Sequence, residues 1–408
     1  MRLFTLISIL LLSINNLYSQ VCDTNALQIH KVSASTLDAN ITPFELNRHH
    51  AFFNTSCAPK NKLVFYLVGT FGNPKLNLLF TKMAANYGYH VISIKYPNNT
   101  SATTACATEN DTTCYENFHK EIIFGTDLCP SISVDSTNSI YVRSVKLLEY
   151  LSTTYPSENW GQFMIGNDID WTKVITAGHS QGAGHSAYLS HIFPVQRGLM
   201  FAGPNEYMNN YNRVAPWFSS TSATADSNLY TFSSIHDELS NFSKQYAAWA
   251  GLGIPDNGDT VDVIGNNCPY NSTRMLYTTN FVTAGGWSNH GAVVSDDYTP
   301  IDVNGYPLYQ DVWKYMLGIC DLPTNIIESI INNEVNVFPI PAEEYIVVQS
   351  QNSFDNIEII NSLGETVFIK KDLKLNVTKI DVSLLEPGIY FIKINADKSS
   401  ITKKVIIQ

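Results

Sequence analysis

A chain of 408 residues is long enough for two or three domains, and 44% hydrophobic against 15% charged residues allows a large buried core and excludes wholesale disorder. A formal net charge of -11 leaves no cationic excess to neutralise phosphates, so nucleic-acid binding is not expected. The seven cysteines include no C-x-x-C pair, which gives no support to a zinc ribbon or a thioredoxin-like site.

Residues 1–20 read as an export signal. Met1-Arg2 supplies the positive start, Leu3 to Ile14 is an apolar run too short to span a bilayer comfortably, and Asn15 to Gln20 holds the expected cleavage region near Ser19 or Gln20. Gln20-Val21 is not the small-residue pair that usually precedes a lipidated cysteine, so a lipid on Cys22 has little support. No other long apolar run follows, and no transmembrane helix is expected. In an exported chain the cysteines favour disulfides. Cys106 and Cys114 are spaced to close a small loop, and the odd count leaves at least one cysteine outside any internal pairing.

Residues 21–323 alternate between strand-like and helix-like segments. Strands are predicted at Lys62 to Val68, His90 to Ile94, Thr172 to Ala177, Gly198 to Ala202, Asn228 to Ser234 and Arg274 to Thr279. Helices are predicted at Leu76 to Tyr87, Val142 to Tyr150, Gln181 to Ile192 and Tyr309 to Ile319. This alternation implies an α/β domain, a mostly parallel sheet flanked by helices, with right-handed crossovers. Gln28 to Ser33 and His49 to Asn54 predict an antiparallel edge. Two stretches break the rhythm. Residues 97–140 are rich in Asn, Thr and Ser, and residues 204–227 carry Tyr207, Tyr211, Trp217 and Phe218 among polar side chains. Residues 324–334 read as a linker. From Val335 to the end, 335–408, short β-rich runs with turn signals predict a small all-β sandwich.

The strongest chemical signal is Gly178-His179-Ser180-Gln181-Gly182. A G-x-S-x-G arises by chance in about one chain in ten of this length, given average glycine and serine usage, so its weight comes from context. A strand is predicted just before it and a helix just after it, which is the strand–turn–helix that exposes a nucleophilic serine. The helix N-terminus beneath the turn favours negative charge. A serine needs a base. His185 and His191 lie on the helix that follows Ser180 and cannot swing over it; His236 directly precedes the best acid candidate. His290, in a loop after the last predicted strand, is the expected general base. Asp237 follows the strand ending near Ser234 and is the expected acid orienting His290, with Glu238 as runner-up and Asp256, Asp259 and Asp262 as outsiders. Asp237 also stands where it could cap a helix. The oxyanion donors expected are the backbone N–H groups of Gln181 and Thr70, with Phe71 second to Thr70. Phe71, Tyr207 and Trp217 are expected to line the substrate cleft.

With these residues in place, LVGTFGNP (67–74), GYHVISIKYPN (88–98), ITAGHSQGAG (175–184), LMFAGPNEY (199–207), FSSIHDEL (232–239) and SNHG (288–291) occur in the order of the α/β-hydrolase superfamily, which the chain resembles over roughly residues 28–320. The resemblance implies a secreted serine hydrolase acting through an acyl-enzyme, needing no metal or cofactor. The expected substrate is an ester-bearing small molecule or polymer. Gly69 stands where many members have histidine, and the 97–140 region matches no subfamily pattern, so substrate class does not carry over. A serine peptidase on the same scaffold, or a non-catalytic surface binding protein, are the alternatives.

The tail is similar to the C-terminal sorting domains of the type IX secretion system, through VNVFPIPAEEYI (335–346), INSLGETV (360–367), LLEPGIYFIKI (384–394) and KKVIIQ (403–408). That resemblance implies recognition by the secretion machinery and a secreted or cell-surface location.

Overall fold

Runs of branched and aromatic residues form the strands of a nine-stranded sheet: β1 (Leu27–Val32), β2 (His49–Asn54), β3 (Leu63–Leu67), β4 (His90–Ile94), β5 (Val174–His179), β6 (Arg197–Phe201), β7 (Leu229–Ser234), β8 (Val261–Asp262) and β9 (Met275–Thr278). The computed structural model describes residues 22–41, 48–320, 335–361, 364–371, 373–396 and 399–408. The expected export signal at 1–20 and linker at 324–334 lie outside these. The chain divides into two units, Met1–Asp321 and Leu322–Gln408.

In the first unit the strand order is β1-β2-β4-β3-β5-β6-β7-β9-β8. The β1–β2 and β2–β4 pairs are antiparallel and every other pair is parallel. Side chains alternate between faces along a strand, yet all five residues of β3 are buried, so both faces of the sheet are covered. The helices that frame the site are α1 (Leu78–Asn86), α2 (Ala102–Cys106), α3 (Cys114–Phe124), α4 (Ile140–Thr154), α5 (Gln181–Ile192), α6 (Phe242–Gly251), α7 (Ser288–Gly291) and α8 (Gln310–Leu317). One group joins α1 to α8, and another joins α3 to both α4 and α5.

The stretch 97–140 holds regular structure that the sequence reading did not anticipate. Its Ser and Thr content caps helices rather than breaking them: Ser101 accepts from the Thr104 N–H at the start of α2. In α3, Tyr115, Phe118 and Ile122 are buried at helical spacing, while Glu116 and Lys120 pair on the outer side. The stretch 204–227 forms a two-residue ribbon, Tyr207–Met208 against Arg213–Val214, with short 3₁₀ turns.

Three disulfides close loops in this unit: Cys22–Cys57, Cys106–Cys114 and Cys268–Cys320. Cys129 is the unpaired, buried cysteine. Among the described residues, no helix is long and apolar enough to cross a membrane.

The second unit pairs β10 (Val335–Phe338), β11 (Tyr345–Phe354) and β14 (Leu375–Asp381) in one sheet, in the order β10-β11-β14. A second sheet runs β13-β12-β15-β16 from β12 (Asn356–Asn361), β13 (Thr366–Lys370), β15 (Gly388–Ala396) and β16 (Ser399–Ile407). Alternate residues of both sheets, including Ile346 and Val348 from one and Ile357, Ile359, Ile392 and Ile394 from the other, form a single core. That sharing makes the unit a β-sandwich. The segment Glu386-Pro387-Gly388 leading into β15 is tied back by Tyr390, whose Oη donates to the Glu386 carbonyl at 2.8 Å.

Candidate active site

Strand β5 ends at His179 and α5 begins at Gln181, so Ser180 alone makes the turn between them. Its φ of 56° and ψ of -119° lie where an L-residue is strained, at a cost of about 1–3 kcal/mol. The flanking glycines make that turn possible. A Cβ on Gly178 would sit 2.0 Å from the Gly182 carbonyl oxygen, and one on Gly182 would sit 2.1 Å from that of Leu67. Strand, turn and helix therefore interlock against β3 with no room for any larger residue.

His290 sits on the helical turn α7, beyond β9. Its Nδ1 lies 2.8 Å from Asp237 Oδ2, with Asp237 on the segment after β7. Nδ1 donates to this carboxylate, so the proton of neutral His290 is on Nδ1 and Nε2 is a lone pair. Asp237 does two jobs. Its Oδ1 accepts from the Leu239 and Ser240 amides at 2.8 Å each and closes a turn; the helix that follows is capped by Asn241, not by Asp237. Its Oδ2 serves His290 and also accepts from Gln245 Nε2 at 3.0 Å. Gln245 is fully buried on α6 and is itself held by Ser233 Oγ.

Glu238, the runner-up acid, holds the backbone instead. It accepts from the Asn289 N–H at 3.0 Å, the Asn289 side-chain amide at 2.8 Å and the His290 N–H at 2.9 Å. Burial alone would raise its carboxyl; hydrogen bonds from Asn289, its own amide and His290 outweigh that and hold it below the ordinary value. The outsider Asp262 is spent on Thr279 and Ile264.

His179 fastens the other side. Burial first, and then the neighbouring His290, lowers it to about 3, so its ring is neutral. Its Nε2 donates to the His290 carbonyl at 3.0 Å. The residue before the serine is thus bonded to the histidine expected to serve it. Three residues fix His290 while its Nε2, buried, has no hydrogen-bond partner among the described residues. The Ser180 hydroxyl is consequently not hydrogen-bonded to His290 in this structure.

The two expected oxyanion donors are also brought together. Thr70 Oγ1 donates to Gln181 Oε1 at 2.7 Å, and neither backbone N–H donates a hydrogen bond among the described residues. Phe71 is excluded as a donor because its N–H is spent on the Asn98 carbonyl at 2.9 Å. Asn98 was not singled out from sequence. Its side-chain amide holds the Gly69 and Gly72 carbonyls at 2.6 and 3.0 Å, which shapes the Thr70 loop.

A cavity of about 40 Å³ opens on Ser180, lined by Thr70, Ser101, Thr103, Gln181, Asn205 and Glu206, with Ala102 and Gly184. None of the three expected cleft residues lines it. Phe71 is 69% exposed. Tyr207 donates to Asn212 Oδ1 and packs under Lys244. Trp217 is buried at 4%, stacked on Phe218, with Nε1 donating to Glu206 Oε2 at 2.9 Å. Aromatic content in a loop suggested a cleft wall; here it builds a small core. A larger cavity, about 580 Å³, lies between Pro97, Ile122, Pro130 and Asp135 and touches none of the site residues.

Among the described residues, the grouping with metal-ligand potential is Cys106, Cys114 and Cys129, within 4.8 Å of one another. Two of these are joined in a disulfide and offer no thiolate.

Residues 336–408 match the family model described as a secretion system C-terminal sorting domain. The tail is a type IX sorting domain, and it implies interaction with the secretion machinery and export to a secreted or cell-surface location. No curated protein matches the chain. Among solved structures, similarity is found to PorZ, described as an essential bacterial surface component of the type-IX secretion system of human oral-microbiomic Porphyromonas gingivalis. That similarity has 12% identity and a TM-score of 0.18, and covers 20% of this chain and 12% of PorZ. The chain thus spans about an eighth of that protein's length.

Proposed function

We propose that the exported protein is a serine hydrolase of the α/β-hydrolase kind that cleaves carboxylic esters. The observation that carries this reading is the Asp237–His290 pair at 2.8 Å, tied through the His290 carbonyl to His179, the residue before a serine at φ 56° between a strand and a helix. The strand order, with an antiparallel edge followed by parallel strands, supports it as well.

Substrate enters the cavity at Ser180. The last missing link, from Ser180 Oγ to His290 Nε2, forms as the acyl group settles, since such bonds tighten in the substrate complex. His290 takes the serine proton as Oγ bonds to the acyl carbon. Asp237 stabilises the resulting imidazolium and does not itself take a proton. The N–H groups of Thr70 and Gln181 receive the oxyanion. His290 returns the proton to the leaving alcohol, then activates water against the acyl-enzyme.

Two features narrow the substrate. The cavity at Ser180 is small, about 40 Å³, which favours a short acyl group such as acetyl over a long chain. A peptidase that grips a free amine needs an open carboxylate, and both oxygens of Glu206 are occupied by His119 and Trp217. The expected result is turnover of p-nitrophenyl acetate with kcat/KM at least tenfold above that for the octanoate, and no release from peptide p-nitroanilides. Preference for octanoate would overturn the short-acyl assignment, and cleavage of anilides alone would overturn the esterase reading.

A further inference from the structure

Beneath the nucleophile lies a buried string of polar groups that the mechanism above does not use. Glu206, on the loop after β6, places Oε1 2.7 Å from Nε2 of His119 on α3. The Nδ1 atoms of His119 and His185 are 2.8 Å apart. His185 Nε2 is 3.5 Å from the Gln181 side-chain nitrogen, one turn earlier on α5. Gln181 Oε1 then accepts from Thr70 Oγ1. Both imidazoles are fully buried and Glu206 is 3% exposed.

Only one proton can occupy the contact between the two Nδ1 atoms. Burial first, and then His119 beside it, holds His185 well below the ordinary histidine value, so it is neutral. A single direction of donation then satisfies every member. Thr70 donates to Gln181, Gln181 to His185 Nε2, His185 Nδ1 to His119 Nδ1, and His119 Nε2 to Glu206, whose other oxygen takes the Trp217 indole N–H. The fold makes space for this string at a cost in side-chain freedom: a Cβ on Gly184 would fall 2.4 Å from Glu206 Oε1.

We infer that the Glu206–His119–His185 string is a positioning device that orients the Gln181 amide, and through it Thr70, so that the backbone N–H groups of these two residues converge on one oxyanion. The inference rests on the hydrolase reading. His119 and His185 line no part of the cavity and act through Gln181; Glu206, which also lines the cavity at Ser180, anchors the string through His119.

The test uses the full chain with p-nitrophenyl acetate as substrate and methylboronic acid as a probe that forms a tetrahedral adduct on the serine. Thr70→Val keeps the backbone N–H but cuts the string at its solvent end. It is expected to lower kcat about tenfold, one hydrogen bond's worth, and to weaken boronic acid binding by the same factor. KM and the pH dependence of kcat/KM stay unchanged, and Thr70→Ser restores both losses. Glu206→Gln breaks the far end and is expected to give a loss of the same kind, with the double variant no worse than Thr70→Val alone. If Thr70→Val, or a folded Glu206→Gln, keeps kcat and boronic acid affinity within twofold of an active wild type, the inference is overturned and the hydrolase reading stands. A wild type that neither turns over ester nor binds boronic acid overturns both.

Discussion

Ser180→Ala should lower kcat for a short ester on the order of a millionfold while leaving the fold intact. The size follows from what the substitution removes. With no oxygen at that position, no acyl-enzyme forms, and His290 and the Thr70 and Gln181 amides are left to act on water alone. The variant should still fold, because the strain at residue 180 belongs to the backbone and is imposed by Gly178, Gly182 and β3, not by the hydroxyl. Hydrolysis rates and a thermal unfolding midpoint measured on the same preparations check both halves. Equal activity in the two proteins would remove Ser180 from the mechanism.

Asp237→Asn should cost about four orders of magnitude in kcat. The asparagine can keep the turn, because its side-chain oxygen can still accept from the Leu239 and Ser240 amides. Its NH2 group then occupies the place of Oδ2, facing His290 Nδ1. To pair with that donor, His290 must accept at Nδ1 and carry its proton on Nε2, the tautomer that cannot take a proton from serine. Gln245, whose own amide now points at this position, adds to the mismatch. Geometry survives and basicity is lost, so KM should change little. A loss smaller than tenfold would show that Asp237 serves only the turn.

The parts of this arrangement that could be read in the chain are those fixed by local rules. The turn at Ser180 is announced by Gly178 and Gly182, because no Cβ is tolerated at either position. Asp237 and His290 each follow a strand of recognisable pattern, and parallel strands deliver their C-terminal ends to one edge of a sheet. The tail was legible through its alternating strands and turn residues. The groups that were not legible reach the site from the side. His119 lies in a stretch whose Asn, Thr and Ser content hid two helices, and its partner Glu206 is 87 positions away. Gln245 and Asn98 carry no motif, and only tertiary packing gives their amides a role. Trp217 illustrates the opposite error. Its aromatic surface suggested ligand contact, while burial at 4% and a bond to Glu206 give it a structural task.

The central claim is that the hydroxyl of Ser180 is activated by His290. Labelling of the full chain with a fluorophosphonate, followed by mass spectrometry of the digested protein, tests it most directly, since phosphonylation needs the activated serine but no knowledge of the natural substrate. The account predicts a single adduct on the peptide carrying Ser180, absent in Ser180→Ala and formed far more slowly in Asp237→Asn. An unlabelled protein, or a label found on another residue, would contradict it.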